Sequence, residues 1–450
     1  MREAAALMAR SATATSRSKV STQRRAAIVA GLRTPFVKAG TDFASLDVLD
    51  LARAVTVELL QRTALSPTDV DQVIYGNVTR PVQYSNIARE LVLAAGLPKQ
   101  TPADTVTLAC ASACQAITDA TNLIERGYAD VVIVGGVEVL SNVPIALSPP
   151  LARALVSASQ ARSLGARLQT LVRPNLSLAD LMPVAPSITE TSTGLSMGQS
   201  AELMAKLNGI SRADQDAWAL SSHRKAAAAW ADGRLAEEVA PVYVVNNGGR
   251  AVVRDNHIRA DTSLEKLAAL RPVFDRQYGT VTAGNSSPLT DGAASLLLMS
   301  TDKARALGLR PKALVRSYAY AAVDPAGELL IGPAYAIPKA LERGGLDLKD
   351  IDLVEMHEAF AAQVLSTLQK LESKEFAETE LGRSAAVGCI DPNMMNLRGG
   401  SIALGHPFGA TGARCVLTLA NEMERQSAQL GLVSVCAAGG VGAAIVLERT

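Results

Sequence analysis

Two stretches far apart in this chain are copies of each other. Residues 60–73 (LQRTALSPTDVDQV) align without gaps to residues 341–354 (LERGGLDLKDIDLV), with the same residue at Leu60, Arg62, Leu65, Asp69, Asp71 and Val73 of the first copy. Each copy reads as the end of a helix, a turn and a strand apolar on both faces. A repeat of this kind requires the chain to build the same unit twice.

The two halves also share their later course. In the first, TVTLAC leads into a helical stretch with Ala113, Ile117, Ala120 and Ile124 on one face, then into the strand DVVIVGG. In the second, SIALGHPFGATG opens a helix ending near Glu424, followed by the strand GLVSVCAAGG. Strand–helix–strand alternation predicts an α/β fold of two similar halves, each with a sheet covered by helices. Aromatics at 4%, with abundant Ala and Gly, suit helices packed closely on a sheet. The pattern divides the chain into an extension (1–25), a first half (26–146 and 271–300), an inserted region (147–270) and a second half (301–450). The inserted region is helical and polar, with a hairpin expected around Val244 to Val253.

Several function classes are excluded. A net charge of +1 gives no pull toward nucleic acid. No apolar run reaches the roughly 18 to 20 residues that span a bilayer. GGVGAAIVL runs into a strand rather than a helix and no GxxxxGK[ST] is present, which argues against NAD and ATP. Five cysteines without CxxC or zinc spacing predict a reducing compartment and no metal site. Arg2, Arg10, Arg17, Lys19, Arg24 and Arg25 against Glu3 suit a mitochondrial presequence as well as a plain extension. The expected location is the cytoplasm, with the mitochondrial matrix as the alternative. Residues 150–179 hold Arg153, Arg162, Arg167 and Arg173 and no acid, which reads as a solvated cover helix or as a basic surface for a membrane or partner.

Reactive residues concentrate in three segments. ACASACQA places Cys110 at the turn between a buried strand and a helix, where unpaired N–H groups favour thiolate. GGSIALGHPFGATGAR places His406 in a Gly-rich turn entering the matching helix of the other half. CAAGGVG puts Cys436 at the end of the last strand but one. Cys114 reads as helix packing, Cys389 and Cys415 as core, and His223 and His257 as ordinary residues of the inserted region.

Together with HEAFAAQ at His357, these segments resemble the thiolase family over residues 26–450, with the motifs in the family's order and halves. SMGQSAE, DNHIRADTSLEKLAALRPVF and GTVTAGNSSPLTDGA extend the match. The resemblance is closest to the β-subunit branch of the fatty-acid oxidation trifunctional complex and its bacterial counterpart, because HEAF stands where many thiolases have Asn. It implies a thiolase-like fold and thiolytic cleavage of 3-ketoacyl-CoA to acetyl-CoA and a shortened acyl-CoA in β-oxidation. CoA is then a co-substrate, with no bound cofactor. Cys110 is implied as nucleophile, His406 as its base, and Cys436 as the acid/base for the enolate and for incoming CoA. His357 is implied to hold an oxyanion-hole water, and the N–H groups of Cys110 and Ala438 to face the other oxyanion, with Ala438 replacing a common glycine. Ser287, Met197 and Phe360 are implied to contact the pantetheine arm and acyl region. The same branch implies a homodimer or homotetramer and a partner α subunit carrying hydratase and 3-hydroxyacyl-CoA dehydrogenase activities. The rival readings are a biosynthetic acetyl-CoA acetyltransferase, a ketoacyl-synthase-like condensing enzyme, which usually lacks the terminal cysteine, and a non-catalytic CoA- or lipid-binding subunit.

Overall fold

The computed structural model describes residues 24–172, 176–184, 189–245 and 249–450. The expected amino-terminal extension therefore lies outside the described residues, apart from Arg24 and Arg25. Nine strands carry the architecture: β1 (Ala26–Arg33), β2 (Gln72–Gly76), β3 (Ala103–Val106), β4 (Val131–Glu138), β5 (Thr290–Ser300), β6 (Ala313–Ala322), β7 (Leu353–Met356), β8 (Leu430–Ala437) and β9 (Val441–Glu448). They form one mixed ladder in the order β7-β8-β9-β6-β1-β5-β4-β2-β3. In the first half β5 runs antiparallel to β1 and β4, and β4, β2 and β3 are parallel. In the second half β9 runs antiparallel to β6 and β8, and β8 is parallel to β7. The halves join where β1 meets β6 over two residue pairs, Ala27–Leu314 and Ile28–Ala313.

The sequence repeat is a repeat of hydrogen bonds. Helix α1 (Val48–Thr63) ends in a left-handed Ala64 with Leu65 N–H on the Leu60 carbonyl, and Gly345 and Leu346 close the second copy's helix on Leu341 in the same way. The matching pair Asp71 and Asp352 shares one task. Asp71 accepts the amides of Asp130 and Val131 at the start of β4, and Asp352 accepts those of Gln429 and Leu430 at the start of β8. A carboxylate there holds two otherwise unpaired N–H groups at a strand entrance, a role that a nonpolar residue could not fill.

Two helices, α2 (Ser112–Glu125) and α5 (Thr411–Gln426), fill the middle of the molecule. Ala113, Ile117 and Ala120 of α2 and Ala413, Val416 and Leu417 of α5 share one core with Val132, Val134 and Leu296 of the first half and Val433, Val435 and Ile445 of the second. The opposite sheet faces are covered by α1 in the first half and by α3 (Gly332–Gly344) in the second, giving five layers. The two central helices touch at Gly412, where a Cβ would lie 2.6 Å from the sulfur of Cys114. This contact accounts for Cys114 as a packing residue, and Cys415 is likewise buried. Cys389 departs from expectation: it is exposed, in the loop beyond helices α4 (Ala361–Glu372) and Lys374–Thr379, with its thiol beside Glu372 while its neighbours Val387 and Ile390 turn into the core.

The inserted region is bound into both halves. Helix Arg212–Ala231 packs on Ser401–Leu404 and on α4, and helix Met197–Leu207 packs on α4. The expected hairpin is present, pairing Val242–Val244 with Arg250–Val252. His223 is buried, its Nδ1 accepting the Arg259 amide at 3.1 Å, beside the His257 ring.

Candidate active site

Cys110 lies between β3 and α2 on a turn of unusual shape. Ala109 adopts φ +45°, in the left-handed region that a residue with a Cβ enters at a cost of about 1 kcal/mol. The turn is closed by Ser112, whose hydroxyl accepts the Leu108 amide at 2.8 Å and donates to the Ala109 carbonyl at 2.6 Å. The strand leading in is not the buried strand expected from sequence. It is the edge of the sheet, and its residues are half-buried or exposed.

The second half delivers His406 to this turn. Gly136 of β4 lies against the Gly409 backbone, so a Cβ at Gly136 would stand 1.9 Å from the Gly409 carbonyl oxygen. The buried Glu138 carboxylate accepts the amides of Gly409, Thr79 and Val78 at 3.0, 2.9 and 3.2 Å, stitching the GHPFG turn to the ends of the first-half strands. His406 Nε2 consequently sits 3.0 Å from Cys110 Sγ. His406 Nδ1 is 2.7 Å from Thr411 Oγ1, which donates to the Pro407 carbonyl at 3.2 Å. A hydroxyl with its hydrogen on that carbonyl can only accept from Nδ1–H, which leaves the Nε2 lone pair free for the thiol proton.

His357 stands behind this pair, its ring centroid 4.1 Å from that of His406. Ser401 Oγ lies 2.8 Å from His357 Nδ1 and accepts from Arg414 Nη2 at 3.0 Å. The other ring nitrogen of His357, Nε2, is buried with no hydrogen-bond partner among the described residues. Arg414 is held by a buried ion pair to Glu355. The Cys110 sulfur and a nitrogen of each imidazole lie within 4.8 Å of one another.

The electrostatics of the pair reverse the sequence expectation of a ready-made thiolate. Burial pushes the Cys110 thiol up to about 12, against the opposing pull of the Ala438 and Cys110 amides that face the sulfur. Burial, then the Arg414 charge, lowers His406 to about 3, and burial, then the neighbouring His406 and Arg414, holds His357 well below the usual imidazole value. The resting pair is neutral thiol and neutral imidazole. Cys436 is buried, and its thiol is held well above the ordinary value by burial and by the adjacent Cys110 sulfur.

One cavity of about 390 Å³ collects the two thiols and His406, while His357 is buried behind its wall. Its walls include Cys110, His406, Cys436 and Ala438, together with Ser287, Met197 and Phe360. Phe274 meets Phe360 edge-on at 6.3 Å and lines the cavity with Leu330 and Phe408, so the walls are largely apolar. His223 and His257 do not line it. Sequence reading missed Thr411 and Ser401, which orient the two imidazoles, and Glu138, whose only signal was a carboxylate at the end of an apolar strand. It also missed Glu190, which reaches the cavity from the inserted region.

The chain is similar to known proteins along nearly its whole length. The family model "Thiolase, N-terminal domain" matches residues 26–302, and "Thiolase, C-terminal domain" matches 309–449. A 3-ketoacyl-CoA thiolase of Yersinia pestis (strain Pestoides F) is 49% identical over 424 residues, covering 94% of this chain and 97% of that protein. Human mitochondrial 3-ketoacyl-CoA thiolase superposes with a TM-score of 0.82 at 33% identity, covering 95% of this chain and 99% of its own, and its CoA complex gives 0.81. Bacillus anthracis acetyl-CoA acetyltransferase superposes with a TM-score of 0.82 at 34% identity, over 95% of this chain and 99% of its own. Matched along nearly its whole length in sequence and in architecture, the chain belongs to the thiolase family.

Proposed function

We propose that this chain is a 3-ketoacyl-CoA thiolase of fatty-acid β-oxidation, which uses CoA to cleave 3-ketoacyl-CoA into acetyl-CoA and an acyl-CoA two carbons shorter. The observation that carries this reading is the 3.0 Å contact between Cys110 Sγ and His406 Nε2 in a cavity that also holds the Cys436 thiol.

In this reading Cys110 attacks the 3-keto carbon while its proton passes to His406 Nε2, so charge develops only as the S–C bond forms. The C2–C3 bond then breaks, leaving the acyl group on Cys110 and acetyl-CoA as an enolate. His406, now protonated, and a water held by the unpartnered Nε2 of His357 stabilise the enolate oxygen. Cys436 protonates the enolate carbon. It next takes the thiol proton of incoming CoA, whose sulfur attacks the acyl group and releases Cys110. The amides of Cys110 and Ala438 face the oxyanion on the acyl carbon. Ser287 and Met197 contact the pantetheine arm and acyl region, and Phe360 forms the wall beside the thiol. CoA is a co-substrate, and no bound cofactor enters these steps.

The test is thiolysis by the purified chain, following loss of 3-ketoacyl-CoA and formation of acetyl-CoA over short to long acyl chains. Turnover dependent on CoA is expected, with medium or long chains preferred. Binding without turnover would favour a non-catalytic subunit, and activity confined to acetoacetyl-CoA would favour the biosynthetic acetyltransferase.

The inserted region (147–270) is read as a loop domain that interrupts the first half (26–146 and 271–300) along the chain, with the second half (301–450) following it. Its helices Pro149–Gln160 and Leu164–Val172 expose Leu155, Val156, Leu164 and Leu168 next to Arg153, Arg162 and Arg167. These apolar and cationic groups support peripheral contact with an anionic membrane. Flotation with anionic but not neutral vesicles, weakened by Leu164→Glu with Leu168→Glu, is the expected result. Equal recovery of wild type and variant with both vesicle types would exclude it. The assembly is read as a homodimer or homotetramer joined to a hydratase/3-hydroxyacyl-CoA dehydrogenase α subunit, in the cytoplasm or the mitochondrial matrix. Among the described residues no helix is long and apolar enough to cross a membrane. A monomer by light scattering, or purification without such a partner, would count against that assembly.

A further inference from the structure

The hairpin loop that presents Ala438 is short and rich in glycine. β8 and β9 pair up to Ala437–Val441, which leaves Ala438, Gly439 and Gly440 as the connection. Gly439 and Gly440 adopt φ +82° and +73°, a conformation glycines enter freely and leave as freely. The loop nevertheless has to hold the Ala438 amide toward Cys110 Sγ, where it faces the sulfur in the resting enzyme.

Two contacts restrain it. On one side Gly440 accepts the Val323 amide at 2.9 Å, within the second half. On the other, the Gly439 amide donates to Glu190 Oε2 at 2.9 Å, and Glu190 belongs to the inserted region, 249 residues away. Glu190 is itself fixed. Its amide donates to the Leu195 carbonyl and its carbonyl accepts the Gly194 amide, both at 2.8 Å, closing a tight turn. That turn runs directly into Ser196, which caps the helix beginning at the cavity residue Met197.

We propose that Glu190 is a positioning residue, a latch from the inserted region that pins the Ala438–Gly440 loop so that the Ala438 amide is aimed at the reacting oxygen. The inference rests on the thiolase reading for its kinetic consequence but not for its structural one. The carboxylate acts as a hydrogen-bond acceptor, and its charge is not required. A charge-assisted bond to a backbone N–H is shorter and stronger than a neutral one, so an amide in its place holds the loop less firmly but in the same position. An aimed oxyanion donor contributes about 10²- to 10³-fold in rate, and its misplacement by about 1 Å sacrifices part of that.

The experiment compares Glu190→Ala and Glu190→Gln in the full chain by two readouts. The first is amide hydrogen exchange of the peptide spanning residues 436–442, which is independent of catalysis. Glu190→Ala is expected to speed exchange there about 10-fold, with the melting temperature unchanged and Glu190→Gln close to wild type. The second is thiolysis kinetics, where Glu190→Ala is expected to lower kcat about 10- to 100-fold with KM within about 3-fold, and Glu190→Gln to recover most of kcat. Unchanged exchange in Glu190→Ala overturns the latch whatever the kinetics. Faster exchange with wild-type kcat overturns its catalytic consequence, and loss of kcat in Glu190→Gln equal to that in Glu190→Ala overturns the acceptor role. An inactive wild type refutes the thiolase reading alone, since the exchange measurement still decides whether the loop is pinned.

Discussion

Cys110→Ala is expected to lower thiolysis by about 10⁴-fold or more, His406→Ala by about as much, and the double variant by no more than either alone. Residues that act as one unit lose their function together, so their effects do not add. The unit here is the 3.0 Å contact between Sγ and Nε2, made by groups that are each held neutral. With the thiol pushed up to about 12 by burial, only a negligible fraction is thiolate at pH 7, and the nucleophile exists only while His406 takes its proton. The pH dependence follows from the sign of the shifts. Because the thiol is raised and the imidazole lowered, no ion pair forms between pH 6 and 8. Alkylation of Cys110 by iodoacetamide should therefore keep rising with pH beyond 9, without a plateau in the neutral range. A plateau near pH 6 to 7 would mean a pre-formed thiolate and would contradict the burial argument. Multiplicative losses in the double variant would show that the two residues do not share one proton.

Cys436→Ser is expected to leave acylation of Cys110 in place while lowering turnover about 10³-fold. The raised thiol of Cys436 keeps its proton at neutral pH, which suits the donor of a proton to an enolate carbon. A serine hydroxyl fits the same space but is a far weaker acid, and its alkoxide is not available to deprotonate CoA. Mixing the variant with substrate should give about one acyl group per chain, seen by mass spectrometry on the peptide carrying Cys110, followed by little CoA-dependent release. Normal turnover would remove Cys436 from the proposed chemistry. Loss of acylation as well would mean that it is needed already for the first carbon–carbon cleavage.

Much of this molecule is legible in its sequence because the relevant physics is local or periodic. The copies at 60–73 and 341–354 specify a helix end, a left-handed cap and a strand start, all set by neighbours within a few residues. The face of Ala113, Ile117, Ala120 and Ile124 is a helical stripe, and all four are buried in the central core. Cys110, His406 and Cys436 are visible because each lies in a short motif of small residues and glycines, and the family resemblance supplied their order. The misreadings have a common cause. The segment TVTLAC before Cys110 alternates apolar residues as a buried strand does but sits at the sheet edge, and Cys389 turns to solvent while Val387 and Ile390 beside it pack inward. Burial depends on which neighbours arrive, and the arrivals are long-range.

The sequence by itself therefore determined the doubled α/β architecture and the family, and it singled out Cys110, His406 and Cys436 as candidates, since these follow from periodicity, turn chemistry and motif. Only the tertiary structure decided how those side chains behave. Glu138 and Gly409 bring the second half's turn onto the first, a contact between residues 271 positions apart. Thr411 and Ser401 hold the two imidazole rings in place, and burial raises the thiol that the helix end alone would have lowered. Desolvation and hydrogen-bond orientation are properties of the assembled cavity, and no stretch of chain carries them alone.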